Sequence, residues 1–241
     1  MFDFLKKNRQ EPRGRVCAVI PAAGSSRRMG GEDKLLLPLL DVPVLARTLA
    51  VFERCSQVDE IIITCREQDI VPYGKLVRTY GFSKVTNIVR GGETRADSVL
   101  AGVRACPEDT ELVAIHDGAR PLVTAGIICE AVEAARQYGA AAPVVPLKDS
   151  IKRVEDGRIM ADIPRETVAA VQTPQVFRWN LIEQALDEAV RAGRTLTDDC
   201  AAAEALGVDV RATAGSYENI KITTPEDIAM GEAILAERTD R

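Results

Sequence analysis

Between an apolar run ending at Ile20 and the leucines that begin at Leu35 lies the stretch Pro21-Ala22-Ala23-Gly24-Ser25-Ser26-Arg27-Arg28-Met29-Gly30-Gly31-Glu32-Asp33-Lys34. Its small residues let backbone N–H groups come close to an anion, and Arg27, Arg28 and Lys34 add full positive charge to those dipoles. Polyphosphate is the ligand that this chemistry suits. A connection of about a dozen residues inside a compact α/β unit is usually functional. The competing reading is an ordinary turn with solvated arginines, and the coincidence of strand, small residues and cations weighs against it. Spacing excludes the two commonest phosphate loops, because neither Gly-Lys-Ser/Thr nor Gly-x-Gly-x-x-Gly is present. A P-loop ATPase and a nicotinamide dehydrogenase are therefore disfavoured.

A second candidate is Asp117, which follows the strand-like run Leu112 to His116. A carboxylate at that point emerges at the end of a strand, and Mg²⁺ favours one carboxylate combined with phosphate oxygens. The competing role is a turn or helix-capping carboxylate. His116, the single histidine, is read as a hydrogen-bonded structural residue and not as a general base.

These residues need a framework that brings strand ends together. Val16 to Ile20, Glu60 to Cys65, Lys84 to Val89, Leu112 to His116 and Ala140 to Val145 have strand character. Helical periods alternate with them: Ala96, Val99, Leu100 and Val103 share one helix face, as do Ile182, Ala185, Leu186 and Ala189. Alternation of this kind predicts an α/β fold, a mostly parallel sheet flanked by helices, with ligands at the carboxyl ends of the strands. Ser150 to Glu155 and Arg158 to Ile163 flank Asp156-Gly157, a dipeptide suited to a type I′ turn, so a β-hairpin arm of about 148–172 should project. The arm has too little apolar material to stand alone and must pack on the domain or on a second subunit.

The chain has 241 residues, 46% apolar and 28% charged, enough for one core; residues 15–241 read as a single domain and 1–14 as a flexible extension. A net charge of −5 without a basic, aromatic-interleaved stretch argues against nucleic acid. The six cysteines are scattered outside any metal-ligand spacing and read as buried thiols of a reducing compartment. No signal-peptide core or membrane-length apolar run occurs, so a cytoplasmic protein without a membrane partner is expected.

The blocks Pro21-Ala22-Ala23-Gly24, Arg27-Arg28-Met29 and Lys34 are followed by Gly91-Gly92-Glu93-Thr94-Arg95-Ala96-Asp97-Ser98-Val99 and His116-Asp117-Gly118-Ala119-Arg120-Pro121. Thr173-Pro174-Gln175, Thr197-Asp198-Asp199 and Asn219-Ile220-Lys221-Ile222-Thr223 come after them. In this order they resemble the cytidylyltransferases that act on 2-C-methyl-D-erythritol 4-phosphate in the non-mevalonate isoprenoid pathway. The resemblance covers residues 16 to about 235. It implies a Rossmann-like nucleotidyltransferase fold, CTP and a small phosphorylated polyol as substrates, Mg²⁺ or another divalent cation, and a homodimer joined through the arm.

By the same resemblance, Arg28 and Lys34 hold the triphosphate, Lys221 sits at the α-phosphate, and Asp117 lies near the metal and the acceptor. Ala22, Ala23, Gly24, Gly92 and Ser98 would contact the nucleotide, while Arg120, Ser150, Arg165 and Thr197 would contact the acceptor. Read without it, Gly91-Gly92 is a strand-to-helix turn, Arg165 pairs with Glu166, and Thr197 caps the following helix. The chain departs from the family pattern at Asp33-Lys34-Leu35, where many relatives carry Pro-Lys-Gln, and at Gly118, where alanine is usual. Two rival readings are a cytidylyltransferase for ribitol 5-phosphate and a catalytically silent nucleotide-binding protein.

Overall fold

The computed structural model describes residues 13–24 and 33–239. Arg27, Arg28 and most of the proposed extension 1–14 thus lie outside the described residues. Of that extension Arg13 and Gly14 are described, and the Arg13 guanidinium is tied to the Asp59 carboxylate at 2.7 Å.

Twelve strands and seven α-helices occur among the described residues. In chain order they are β1 (Arg15–Pro21), β2 (Pro38–Leu39), β3 (Val42–Pro43), α1 (Val44–Arg54), β4 (Glu60–Cys65), α2 (Ile70–Tyr80), β5 (Val85–Arg90), α3 (Arg95–Arg104), β6 (Thr110–Ile115), α4 (Ala125–Tyr138), β7 (Ala140–Pro146), β8 (Ile151–Glu155), β9 (Arg158–Ile163), β10 (Ala169–Val171), β11 (Gln175–Arg178), α5 (Trp179–Arg191), α6 (Cys200–Ala205), β12 (Arg211–Ala214) and α7 (Pro225–Thr239).

Strands β6, β1, β4 and β5 run parallel in that order at one side of an eight-stranded sheet. On the other side β11 joins β6 and β7 antiparallel, β10 continues along β7 in the same sense, and β12 pairs with β7 in parallel. The sheet is mostly parallel, as the alternation of strand and helix predicts. Its antiparallel strands β10 and β11 and the short β12 carry no clear signal of their own, being three or four residues long.

Two-residue periodicity places alternate side chains on opposite faces of the sheet. Val16, Ala18 and Ile20 of β1 pack with Leu45, Phe52, Tyr73 and Ile128 from α1, α2 and α4. Cys17 and Val19 pack on the other side with Val99, Val103, Ile182 and Leu186 from α3 and α5. Both sets read as helix faces, Ala96/Val99/Leu100/Val103 and Ile182/Ala185/Leu186/Ala189, are buried. At about 25 cal/mol per Å² these faces supply the main drive for docking the helices.

Thr94 starts α3 with a reciprocal capping box: its side chain accepts from the Asp97 N–H while Asp97 accepts from the Thr94 N–H. This cap fixes where the second glycine block meets the helix. The arm forms as the Asp156-Gly157 turn requires, with φ of 47° and 75°. It leaves Val154, Ile159 and Met160 exposed, at 58%, 72% and 56%. Five cysteines are buried and Cys129 is half-buried, all as free thiols. No helix among the described residues is long and apolar enough to cross a membrane.

Candidate active site

The carboxyl ends of β1, β5 and β6 meet at one edge and enclose a cleft of about 240 Å³. Ala22, Ala23, Gly24, Lys34, Gly92, Ser98, Asp117 and Lys221 all line it. Eight candidate residues spread over two hundred positions are thereby brought together. The crossing point is where a doubly wound sheet offers space for a ligand.

Asp117 is held at the floor of the cleft. Its loop docks on β1, since the His116 N–H donates to Val19 O at 2.9 Å and the Gly118 N–H to Pro21 O at 3.2 Å. A side chain at Gly118 would press on this junction, because an added Cβ would lie 3.3 Å from Pro21 O and 3.4 Å from Leu45 Cδ1. Thr48 of α1 closes the other side by donating to the Gly118 carbonyl at 2.9 Å.

Three cations surround the Asp117 carboxylate: Lys221 Nζ at 2.7 Å from Oδ2, Arg120 Nε at 3.7 Å and Arg95 Nη2 at 3.7 Å from Oδ1. Burial alone would raise the pKa of this group. The positive charges, Lys221 first and Arg95 next, outweigh it and bring the value down to about 2. Asp117 is therefore ionised at every working pH. The stability its pairing contributes is present above the ordinary carboxylate pKa and is lost only as pH falls through about 2.

The two lysines share one segment. Lys34 Nζ donates to Ile222 O at 2.8 Å, and the Ile222 N–H donates to Ala119 O at 2.8 Å. Lys34 and Lys221 thus converge from opposite ends of the sequence on the Asp117 loop. An incoming polyphosphate would meet both ammonium groups at once, which is the arrangement that stabilises spread negative charge.

The second glycine block forms the opposite wall. An added Cβ at Gly91 would lie 2.6 Å from Ser98 Oγ, and one at Gly92 only 2.2 Å from Asp97 Cβ. Main chain and the first turn of α3 are thus in a contact that only glycine permits. Ser98 is buried and donates to Thr94 O at 2.9 Å, so its hydroxyl is positioned by the capped turn.

Other candidates lie elsewhere. Arg120 is not among the residues lining the cleft: Nη1 donates to Asn219 O at 2.7 Å, while the buried Nε, 3.7 Å from Asp117 Oδ2, has no hydrogen-bond partner among the described residues. Ser150 and Arg165 are exposed at the root of the arm, and Arg165 donates to Lys148 O at 3.3 Å where a Glu166 pair was the simple alternative. Thr197 is exposed and does not cap α6. That helix starts at Cys200, and Asp198 Oδ1 accepts from the Ala201 N–H instead.

His116 fulfils the structural role expected of it. It is fully buried, with Nδ1 2.9 Å from Thr173 Oγ1 and Nε2 3.2 Å from Arg120 O. Burial lowers its pKa to about 4, leaving it neutral near pH 7. It has no route to a substrate proton.

Residue-level reading misses Arg95 and Asp199. The Arg95 guanidinium lines the cleft and forms two bonds of 2.7 Å to the fully buried Asp199 carboxylate. Asp199 in turn receives order from Gln175, whose Oε1 accepts from the N–H groups of Asp199 and Cys200. Both residues stand inside sequence blocks singled out above, but 104 positions separate them. The available signal is one arginine and two adjacent acids, without anything to say that they meet.

A doubly wound α/β sheet with a lysine- and arginine-walled cleft at its carboxyl edge defines the class of nucleotide-handling transferases. The chain belongs to the 2-C-methyl-D-erythritol 4-phosphate cytidylyltransferase (IspD) family, whose model matches residues 16–237. It is 47% identical to the 2-C-methyl-D-erythritol 4-phosphate cytidylyltransferase of Dehalococcoides mccartyi over 92% of this chain and 96% of the relative. Its identity to that of Halalkalibacterium halodurans is also 47%, over 92% and 98%. Among solved structures, 4-diphosphocytidyl-2C-methyl-D-erythritol synthase from Anaerococcus prevotii superposes with a TM-score of 0.83 at 30% identity, over 92% of this chain and 99% of that one. The Thermus thermophilus cytidylyltransferase gives 0.75 at 31% identity, over 90% and 98%.

Proposed function

We propose that this chain transfers CMP from CTP to 2-C-methyl-D-erythritol 4-phosphate, forming 4-diphosphocytidyl-2-C-methyl-D-erythritol and pyrophosphate. The observation that carries the reading is the convergence of Lys34, Lys221 and Asp117 on one cleft edge, in a chain of this family. A phosphate oxygen of the acceptor attacks the α-phosphorus of CTP in line, and the bond to the β-phosphate oxygen breaks. Negative charge grows on the leaving pyrophosphate, so the work of the protein is positioning and charge neutralisation. Lys34, with Arg28, binds the triphosphate; Lys221 stands at the α-phosphate; Gly92, Ser98 and the Ala22-Ala23-Gly24 segment hold the nucleotide.

Asp117 is the residue that would hold a divalent cation. No group of three or more histidine, cysteine or acidic side chains among the described residues could bind a metal. A single ionised carboxylate fits Mg²⁺ nonetheless, because that ion commonly takes one or two carboxylates and completes its shell with phosphate and water. Lys221 Nζ lies on Oδ2 at 2.7 Å, while Arg95 Nη2 faces Oδ1 at 3.7 Å. When bound, the ion would neutralise charge on the triphosphate.

The arm serves the acceptor and the dimer. Its exposed Val154, Ile159 and Met160 favour burial against a second copy, which would bring Ser150 and Arg165 to a neighbouring cleft; Thr197, outside the arm, would contact the acceptor from the main domain. Sedimentation should find a homodimer that becomes monomeric when 148–168 is replaced by a short turn; an unchanged sedimentation coefficient per mass would reject the arm as the joint. The net negative charge and free cysteines support a cytoplasmic protein without nucleic-acid or membrane partners.

Pyrophosphate release from CTP, UTP, ATP and GTP, each with Mg²⁺ and either methylerythritol 4-phosphate or ribitol 5-phosphate, tests the function. Turnover is expected only with CTP and the methylerythritol acceptor. Preference for ribitol 5-phosphate would overturn the acceptor, and silence with every pair would overturn the enzyme.

A further inference from the structure

Tyr73 stands in the first turn of α2 without solvent exposure, one of the largest fully buried side chains of the described residues. A phenol placed so deep is normally given a hydrogen-bond partner. Its hydroxyl is 2.7 Å from Asp33 Oδ2 and 3.4 Å from the carbonyl of Ala22. A phenol has one hydrogen to donate, and the shorter, charge-assisted contact takes it. The bond therefore ties α2 to the residue immediately before Lys34.

The other oxygen of Asp33 is engaged as well. Oδ1 accepts from the Leu35 N–H at 3.1 Å, and the Asp33 carbonyl accepts from the Leu36 N–H at 2.9 Å. This is a turn closed by the aspartate's own side chain. Lys34 sits inside it, with Asp33 locked on one flank and Leu35 buried in the core on the other. The lysine side chain then crosses to the Ile222 carbonyl at 2.8 Å. Long ammonium side chains lose much rotamer freedom when fixed, so a rigid backbone at their base reduces the remaining cost of presenting the charge.

We infer that Tyr73 and Asp33 act as one positioning unit for Lys34, transmitting the packing of α2 to the charge that meets the triphosphate. Neither Asp33 nor Tyr73 is among the residues that line the cleft. The inference rests on the proposal that CTP is the ligand. It assigns to a buried phenol a share of nucleotide affinity that its place in the core would not suggest.

Calorimetric titration with CTP tests this without requiring turnover. Tyr73→Phe keeps the ring and removes the hydroxyl; Asp33→Asn keeps the shape and removes the charge. Each is expected to weaken CTP binding about tenfold, the usual scale for a hydrogen bond to a charged group, and the double variant to be no weaker than the poorer single. In a Lys34→Ala background neither substitution should weaken CTP further, since the route of action is gone. An unchanged affinity in Tyr73→Phe, or the same tenfold loss with and without Lys34, would overturn the inference and leave the cytidylyl reading standing. A wild-type chain that binds no CTP would overturn that reading, and this inference with it.

Discussion

Asp117→Asn is expected to lower kcat for cytidylyl transfer by about a thousandfold while leaving KM for CTP unchanged or slightly reduced. The split follows from the charges around the residue. Lys221, Arg95 and Arg120 lie within 3.7 Å of its carboxylate, and a triphosphate would add negative charge to that same cluster. Removing this anion leaves the three cations in place and the cleft more positive, so the electrostatic attraction for CTP is expected to be preserved. What disappears is the ionised oxygen ligand proposed for the divalent cation, together with the partner that orients Lys221 at 2.7 Å. Steady-state pyrophosphate release over a Mg²⁺ titration measures both quantities. A loss in kcat below tenfold, or a large rise in KM for CTP, would remove Asp117 from its assigned role.

Arg95→Leu should cost about 3–5 kcal/mol of folding stability, a large share of the 5–15 kcal/mol of an ordinary domain. The substitution leaves Asp199 fully buried, still wired to Gln175, and without its counter-charge. Burial already pushes the Asp199 carboxyl above its ordinary pKa, against the opposing pull of Arg95. Without the guanidinium the folded-state pKa must rise further. A carboxyl with a raised folded pKa binds protons more readily in the native state, so the variant's stability deficit shrinks as pH falls through that pKa toward the unfolded value. Urea unfolding between pH 5 and 8 is the measurement, and Asp199→Asn added to Arg95→Leu should restore most of the loss, since an amide needs no counter-charge. A deficit independent of pH, unaffected by the second substitution, would show that Arg95 contributes by packing alone.

The legible part of this protein is the part that repeats locally. The helix faces around Val99 and Leu186 were readable because 3.6-residue spacing is a property of one segment, and β1, β4 and β6 because their apolar runs carry β-branched residues. The hairpin at Asp156-Gly157 was readable because its two positive φ values are a local demand that this dipeptide meets. The glycine-rich edge and its cations announced phosphate chemistry through residue type alone. Pairings made by the tertiary fold were not legible: Arg95 with Asp199, Tyr73 with Asp33, Lys34 with the carbonyl of Ile222. Each joins residues at least 40 positions apart, where no periodicity connects them. Strand β12 escaped for another reason, since Arg-Ala-Thr-Ala has neither length nor apolar pattern and is a strand only because β7 offers an open edge.

The arm enters and leaves the sheet at a single place. Pro146, the last residue of β7, is the register partner of Ala169, the first of β10, so the segment between them leaves and rejoins the sheet at two paired neighbours. The entropy of closing such an excursion grows only with the logarithm of its length, about 0.6 kcal/mol per doubling. Insertions, deletions or wholesale exchange of this segment leave the ends of the excursion, and hence the sheet, where they were. Evolution, or an engineer, can therefore recut the part of the molecule proposed to choose its acceptor without reopening the part proposed to hold the nucleotide.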